Sequence, residues 1–429
     1  MVISGVLVFL ALMLMRDPAP VFVYDAGQYW LGSELVADGR DPWLKMGLNV
    51  RGVLSAFVYL PAALAVKGLG VSAGTAVLVQ NAVMIAVLGA VVLPCLAGRV
   101  VALRSRHVLL SAALSALVLS GFAPYPLMDL VAGALVLSGV LLADAQRWYV
   151  QVVGALCLGA AVNLRPAHLA TVVLVVLVVL VVRRLRVIPV AMGVLLALLP
   201  QALYLRRHDY PAGLMPPDSF LITQIQVGYG AYGVRYDTVA YSNVDPRQWY
   251  CDPSMARAVD GDLPTTARGL FGTFVGQLPD SASFAIDKVV AALQWNWATP
   301  YAPAGTPGWT ALGLAVLLVT VVGVVGLVVL WPRAGRSVVA PCLVATVVGT
   351  AVTLVGSAPE TRFALPIVLV GIVGWTILFG NVGRASRRRL TVLGASAAVV
   401  FVAILGLAVL ATGHPAEPGD VTAATCGES

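Results

Sequence analysis

The sequence predicts an all-α polytopic membrane protein, and three observations carry that reading. Of 429 residues, 59% are hydrophobic and 11% charged, with a mean hydropathy of +0.91, whereas soluble domains carry roughly a quarter charged residues. Apolar runs of membrane-spanning length recur along the chain. Before residue 205, no interval between these runs is long enough for a soluble domain.

Taken in order, uninterrupted apolar windows lie at 1–16, 73–97, 108–122, 128–143, 149–163, 168–182, 187–204, 308–331, 338–356, 364–380 and 390–411, so about 11 transmembrane helices are expected. The first has no basic n-region and no small-residue cleavage site, and reads as a retained helix. It is short for a full span, which suits a start lying further upstream. One further run, 52–68, is short and interrupted by Tyr59-Leu60-Pro61. Charge placement decides how it lies. If it does not cross, the loops with Arg99, Arg104 and Arg106, with Arg147, with Arg183, Arg184 and Arg186, with Arg333 and Arg336, and with Arg384 and Arg387–Arg389 share one side. The opposite short loops then carry only Arg165 and Arg362. This is the positive-inside pattern, and it makes 52–68 a re-entrant or interfacial helix on the outer side.

The resulting organisation has four parts: an N-terminal transmembrane module (1–204) with a first outer loop at 17–51, an extracytoplasmic region at 205–306, C-terminal transmembrane helices at 307–411, and an outer tail at 412–429. Within 205–306, VGYGAYGVRYDTVAYSN at 227–243 is rich in Gly and Tyr, and 281–294 reads as a helix capped by Ser281 or Ser283. Trp295, Trp297 and Tyr301 read as an aromatic belt before the next span. The net charge of +7 is spread among loops, which points to topology and lipid contact and not to nucleic acid. Cys95, Cys157 and Cys342 lie in or beside apolar runs as inert core residues, and no CxxC or His partner suggests a zinc site. Cys251 and Cys426 both fall outside, where a disulfide can form.

The chemistry-bearing residues gather on the outer face. The segment Val21–Trp43, VFVYDAGQYWLGSELVADGRDPW, crowds Asp25, Glu34, Asp38 and Asp41 among Tyr24, Tyr29 and Trp30. A carboxylate at a membrane exit is placed where desolvation tunes it as a general base. Asp129 opens a span in FAPYPLMDL. Arg165 sits in the turn NLRPA, Arg206 and Arg207 in ALYLRRHDY, and Glu360 with Arg362 in SAPETRF. Charges at membrane depth mark substrate or ion paths. Each also has a plainer reading: Asp129 complements a helix dipole, Arg165 and Arg362 snorkel to headgroups, and Arg206-Arg207 anchors at the interface. Together, an outer acid and several outer arginines suit a lipid phosphate, for which guanidinium offers planar, bidentate donors.

This pattern resembles the GT-C superfamily of integral-membrane glycosyltransferases, and within it the branch using polyprenyl-phosphate sugars, such as protein mannosyltransferases and bacterial aminoarabinose and arabinofuranosyl transferases. Asp25, Tyr29 and the segment through Gly39-Arg40-Asp41-Pro42 stand where that family places its first-loop acid, an aromatic and a helix ending in Gly. Phe57-Val58-Tyr59-Leu60-Pro61 resembles its Pro-containing apolar segment. Asp129, Arg165 and Pro359-Glu360-Thr361-Arg362-Phe363 match its later acid, its basic outer turn and its late Pro-Glu-x-Arg-aromatic turn.

The resemblance implies a multi-pass enzyme of the bacterial plasma membrane, with its site on the extracytoplasmic side. It would move mannose or arabinofuranose from a polyprenyl-phosphate donor to a hydroxyl of a glycan, glycolipid or protein, with inversion. Asp25 is then the general base. Arg165 and Arg362, with Arg206, hold the donor phosphate. Asp129 orients the sugar or Asp25, and Glu360, Tyr29 and Tyr59 belong to the substrate site. A second acid often follows the family's first; Ala26 stands there, so the paired acids that would favour a divalent cation are absent and no cofactor is assigned. Two other classes share the composition. A transporter or lipid flippase calls for inverted halves with interrupted helices, and a non-catalytic cell-envelope scaffold calls for no base at all.

Overall fold

The computed structural model describes all residues except 184–186, 212, 237–246, 294–300, 302–310, 331–336, 382, 384, 417–425 and 427–429, and no side chain at 44, 183, 234–236, 247–248 and 415–416. The chain is mostly helical. Each of the eleven apolar windows falls on a helix. Among the described residues six of these are long and apolar enough to cross a membrane: Ala73–Gly98, Ser105–Phe122, Val187–Arg207, Ala311–Val329, Thr361–Asn381 and Arg387–Ala411. The others, Val2–Met15, Met128–Ala143, Trp148–Leu164, Pro166–Val182 and Val339–Val355, are apolar helices of 10–17 residues. This is an all-α membrane frame.

Small residues let its helices approach closely, as helix packing in lipid requires. Gly323 and Gly374 face each other where Ala311–Val329 crosses Leu365–Asn381: a Cβ on Gly374 would lie 2.0 Å from the Gly323 carbonyl oxygen. In Ala73–Gly98 a wide π turn occupies Leu88–Val92, directly ahead of Pro94. Proline lacks the N–H that would continue the ladder and clashes with the carbonyl four residues back, so the turn opens.

The run 52–68 splits at Tyr59 into Ser55–Val58 and Leu60–Leu69, with Pro61 in the first turn of the second piece. The first outer loop contains a full helix, Tyr24–Ala37, closed by Gly39 at φ +71°. Its far end is clasped to the end of Val187–Arg207. There the Tyr204 hydroxyl donates to Asp41, His208 Nε2 lies 3.0 Å from Asp41, and Trp43 stacks on His208 at 4.6 Å.

The frame has two chemically distinct ends. At one, Arg99 lies 3.8 Å from Asp144, Asp144 accepts from the Val338 N–H, and Gly380 packs on Val101. These are loops read as basic and cytoplasmic; those at 184–186, 331–336 and 384 lie outside the described residues. At the other end Asp25, Asp129, Arg165 and Arg362 meet.

The region after residue 205 departs from the all-α expectation. Besides the helices Leu221–Tyr229, Pro253–Val259, Ala267–Gly276 and Leu278–Leu293, it contributes an antiparallel pair of strands, Ala231–Tyr236 with Arg247–Cys251, in which Tyr232 faces Tyr250. Pro415–Ala416 of the tail adds a third strand beside Trp249 and Tyr250, and Cys251 is joined to Cys426. The helix expected from Ser281 starts earlier, at Leu278. Pro279 sits in its first turn, where a missing N–H costs nothing.

Candidate functional site

The site begins at a strained turn. Tyr24 has φ +49°, a left-handed conformation that an aromatic residue adopts only when its surroundings impose it. It opens the helix Tyr24–Ala37 and puts Asp25 in the first turn. Tyr301 holds this turn: its hydroxyl accepts from the Ala26 N–H at 3.3 Å and donates to the Val23 carbonyl at 3.4 Å. Its ring meets Tyr24 and Tyr125. Tyr301 is therefore buried beneath the site and not part of a surface belt; Trp295 and Trp297 lie outside the described residues.

Three helix ends and a loop bring charge to Asp25. Arg362, in the short turn Thr361–Ala364, donates to Asp25 Oδ2 at 2.6 Å, across 337 residues of sequence. Arg51 donates to Asp25 Oδ1. Arg165, just after Trp148–Leu164, lies 3.8 Å from Asp25 and 2.8 Å from Asp129 Oδ1, and Asp129 opens Met128–Ala143. Glu360 pairs with Arg362 Nε. The Arg165 guanidinium also donates to the Tyr29 hydroxyl at 3.0 Å and lies 4.2 Å from the Phe363 ring centre. Three carboxylates and three guanidinium groups thus balance in a place where unpaired charge would be costly. Burial pushes the Asp25 carboxyl up, but Arg362, Arg51 and Arg165 outweigh it and hold it well below the usual carboxylate range.

Backbone contacts fix the loop that carries Arg51. Gly52 is pressed against Asn163, whose carbonyl oxygen would stand 1.5 Å from a Cβ there. The next two N–H groups donate to Gln201 Oε1 at 2.8 Å and Asn163 Oδ1 at 3.0 Å. Tyr59 plays a similar part under Asp129. It is fully buried, and its hydroxyl bonds Asn81 and the Leu127 carbonyl, while Asn81 holds the carbonyls of Ala123 and Tyr125.

A cavity of about 320 Å³ opens beside this cluster. Its lining includes Asp25, Arg51, Arg165 and Glu360 together with Leu221, Ile225, Gln226 and Trp249. The residues expected at a substrate site therefore divide. Asp25, Arg165 and Glu360 face the cavity. Asp129 and Arg362, each 2% exposed, lie behind Asp25. Tyr29 and Tyr59 are buried supports outside the lining, and Arg206 stands exposed at a helix end away from it.

Arg51 goes unnoticed in the sequence, and Tyr301 reads there only as part of an aromatic belt. Arg51 sits in the same outer loop as Asp25, beside a glycine, and that proximity is the signal that could have found it. Tyr301 follows two tryptophans, which mimics a belt.

Each carboxylate already has a guanidinium partner, so a divalent ion would have to displace one. Among the described residues no group of three or more His, Cys, Asp or Glu side chains is arranged to hold a metal. The residues do not fit a resident cation. Comparison with protein-family models, curated proteins and solved structures finds no match to this chain.

Proposed function

We propose that the protein is a membrane glycosyltransferase that moves a sugar from a polyprenyl-phosphate donor to an acceptor hydroxyl. In this reading all eleven apolar helices span the bacterial plasma membrane and the site faces outward. One observation carries it: Asp25, from the start of the chain, is gathered with Arg51, Arg165 and Arg362 at the wall of a cavity, at the frame end opposite the basic loops. A base and a set of guanidinium groups around one cavity is what displacement of a phosphate from a sugar requires.

The donor phosphate lies against Arg51 and Arg165, which line the cavity. Arg362 stays behind, tied to Glu360, and orients Asp25. As the phosphate draws Arg51 and Arg165 toward itself, Asp25 keeps only Arg362 of the three cations that suppress its basicity, and its basicity rises. Asp25 then takes the proton of the acceptor hydroxyl. The acceptor oxygen bonds to the anomeric carbon as the bond from that carbon to the phosphate oxygen breaks. Polyprenyl phosphate leaves with the electron pair, its charge held by the arginines. A single displacement inverts the anomeric centre, and a positioned base contributes ~10²–10⁴-fold in rate.

Asp25→Asn keeps the size of the side chain and removes the base. In membranes supplied with polyprenyl-phosphate mannose or arabinofuranose, this variant is expected to accumulate to normal levels and transfer nothing. Turnover at the wild-type rate would exclude Asp25 as base.

A further inference from the structure

Behind the cavity wall lies an ammonium group that the chemistry above does not use. Lys288, on Leu278–Leu293, is 0% exposed. Its Nζ donates to Gln226 Oε1 at 3.0 Å and to the Val355 carbonyl at 2.9 Å, and lies 5.2 Å from the Phe284 ring centre. Among the described residues no carboxylate lies within ion-pair distance of it. The contact with Val355 anchors the end of Val339–Val355, an ordinary place for a cation. The contact with Gln226 does more.

Because Lys288 Nζ donates to its oxygen, the Gln226 amide turns its NH₂ the other way. Gln226 is 1% exposed and lines the cavity, and its Nε2 has no hydrogen-bond partner among the described residues. A buried amide donor left unsatisfied is destabilising. Trp249, Asp218 and Ser219 line the same cavity. A ring face, an amide donor and a carboxylate acceptor together match a sugar ring, which offers C–H groups on its face and hydroxyls around its rim.

We propose that Gln226, oriented by Lys288, is a specificity-determining contact for a carbohydrate acceptor, donating from Nε2 to a hydroxyl oxygen of the acceptor sugar while Trp249 covers the ring. This names the acceptor class for the transfer described above and rests on that reading for its role, though not for its existence as a binding site.

The test uses the full-length chain in lipid nanodiscs. Methyl α-D-mannopyranoside and methyl α-D-arabinofuranoside are the glycoside probes, followed by saturation-transfer NMR, and citronellyl phosphate probes the arginine end separately. At least one glycoside is expected to bind the wild type. Gln226→Leu and Gln226→Glu should each weaken that binding about tenfold, as loss of one well-placed hydrogen bond does. Gln226→Glu keeps an acceptor for Lys288, so it preserves the packing while removing the donor. Citronellyl phosphate binding to Gln226→Leu should stay within about twofold of wild type. If neither glycoside binds the wild type, or if both variants bind as the wild type does, the inference is overturned. Glycoside binding that depends on Gln226, without Asp25-dependent transfer from any donor, would keep this site and remove the transferase. Asp25-dependent transfer to a peptide hydroxyl, with KM unchanged in Gln226→Leu, would do the reverse.

Discussion

A carboxylate flanked by two guanidinium groups holds its charge firmly and takes up a proton reluctantly. Asp25 is in that position, paired with Arg51 and Arg362. Its basicity therefore depends on something else engaging the arginines, and a phosphate is the natural competitor. Lys288 presents the opposite case, a cation buried without an anion beside it. Burial lowers its pKa from the ordinary lysine value to about 7. The sign of the effect on stability follows by linkage. Between pH 7 and the unfolded lysine value of about 10.4 the unfolded chain holds a proton that the folded chain does not, so stability rises with pH across that window. Below pH 7 both states hold it and the contribution is flat. Thermal unfolding of the detergent-solubilised protein should show Tm climbing from pH 7 to 10, and Lys288→Met should flatten that climb; an equal slope in the variant would mean the group titrates normally. At this scale the sequence was partly legible. Asp25, Asp129, Arg165 and Arg362 stood out as charges against an apolar background. Lys288 did not, because its helix reads as an ordinary amphipathic segment until Phe284 and Lys288, four residues apart, are seen on the same buried face.

Elements were most legible where one physical signal dominates. Every apolar window became a helix because a backbone in an apolar setting must satisfy its own hydrogen bonds. The break at Tyr59 followed from Pro61. The strands were missed for a different reason: Ala231–Tyr236 pairs with Arg247–Cys251, which in turn finds Pro415–Ala416 beyond a whole set of helices, and the Gly- and Tyr-rich first strand lacks a clean two-residue alternation. The segment carrying Arg51 shows how an element without regular structure can still be rigid. Its conformation is set by Gly52 against Asn163 and by two N–H groups seated on Asn163 and Gln201. A methyl at residue 52 has no room, since it would meet backbone and not a side-chain tip. Gly52→Ala is expected to cost about 1–3 kcal/mol of stability, the usual range for overpacking, and to displace Arg51 from Asp25. Transfer should fall further than the melting temperature alone explains. Activity tracking stability one for one would mean that Arg51 is not held by this seat.

For the molecule as a whole, the two ends of the frame divide the labour. Arg99 meets Asp144 at one end and the balanced acid–arginine cluster forms at the other, joined by helices that pack on small residues. The disulfide between Cys251 and Cys426 ties the tail to the strand region beside the cavity, closing a separation of 175 residues. Replacing both cysteines by serine is expected to lower stability by about 2–4 kcal/mol, read as a fall in Tm under non-reducing conditions. An unchanged Tm would show that the tail is held by its strand alone.

That covalent link offers a test of the proposed orientation. Disulfides form and persist chiefly in oxidising compartments, and Cys95, Cys157 and Cys342 are free thiols. Intact cells treated with an impermeant reductant, then with an impermeant maleimide, should incorporate label at Cys251 and Cys426 and nowhere else. Label that enters only after the cells are lysed would turn the protein over in the bilayer and move its pocket to the cytoplasm.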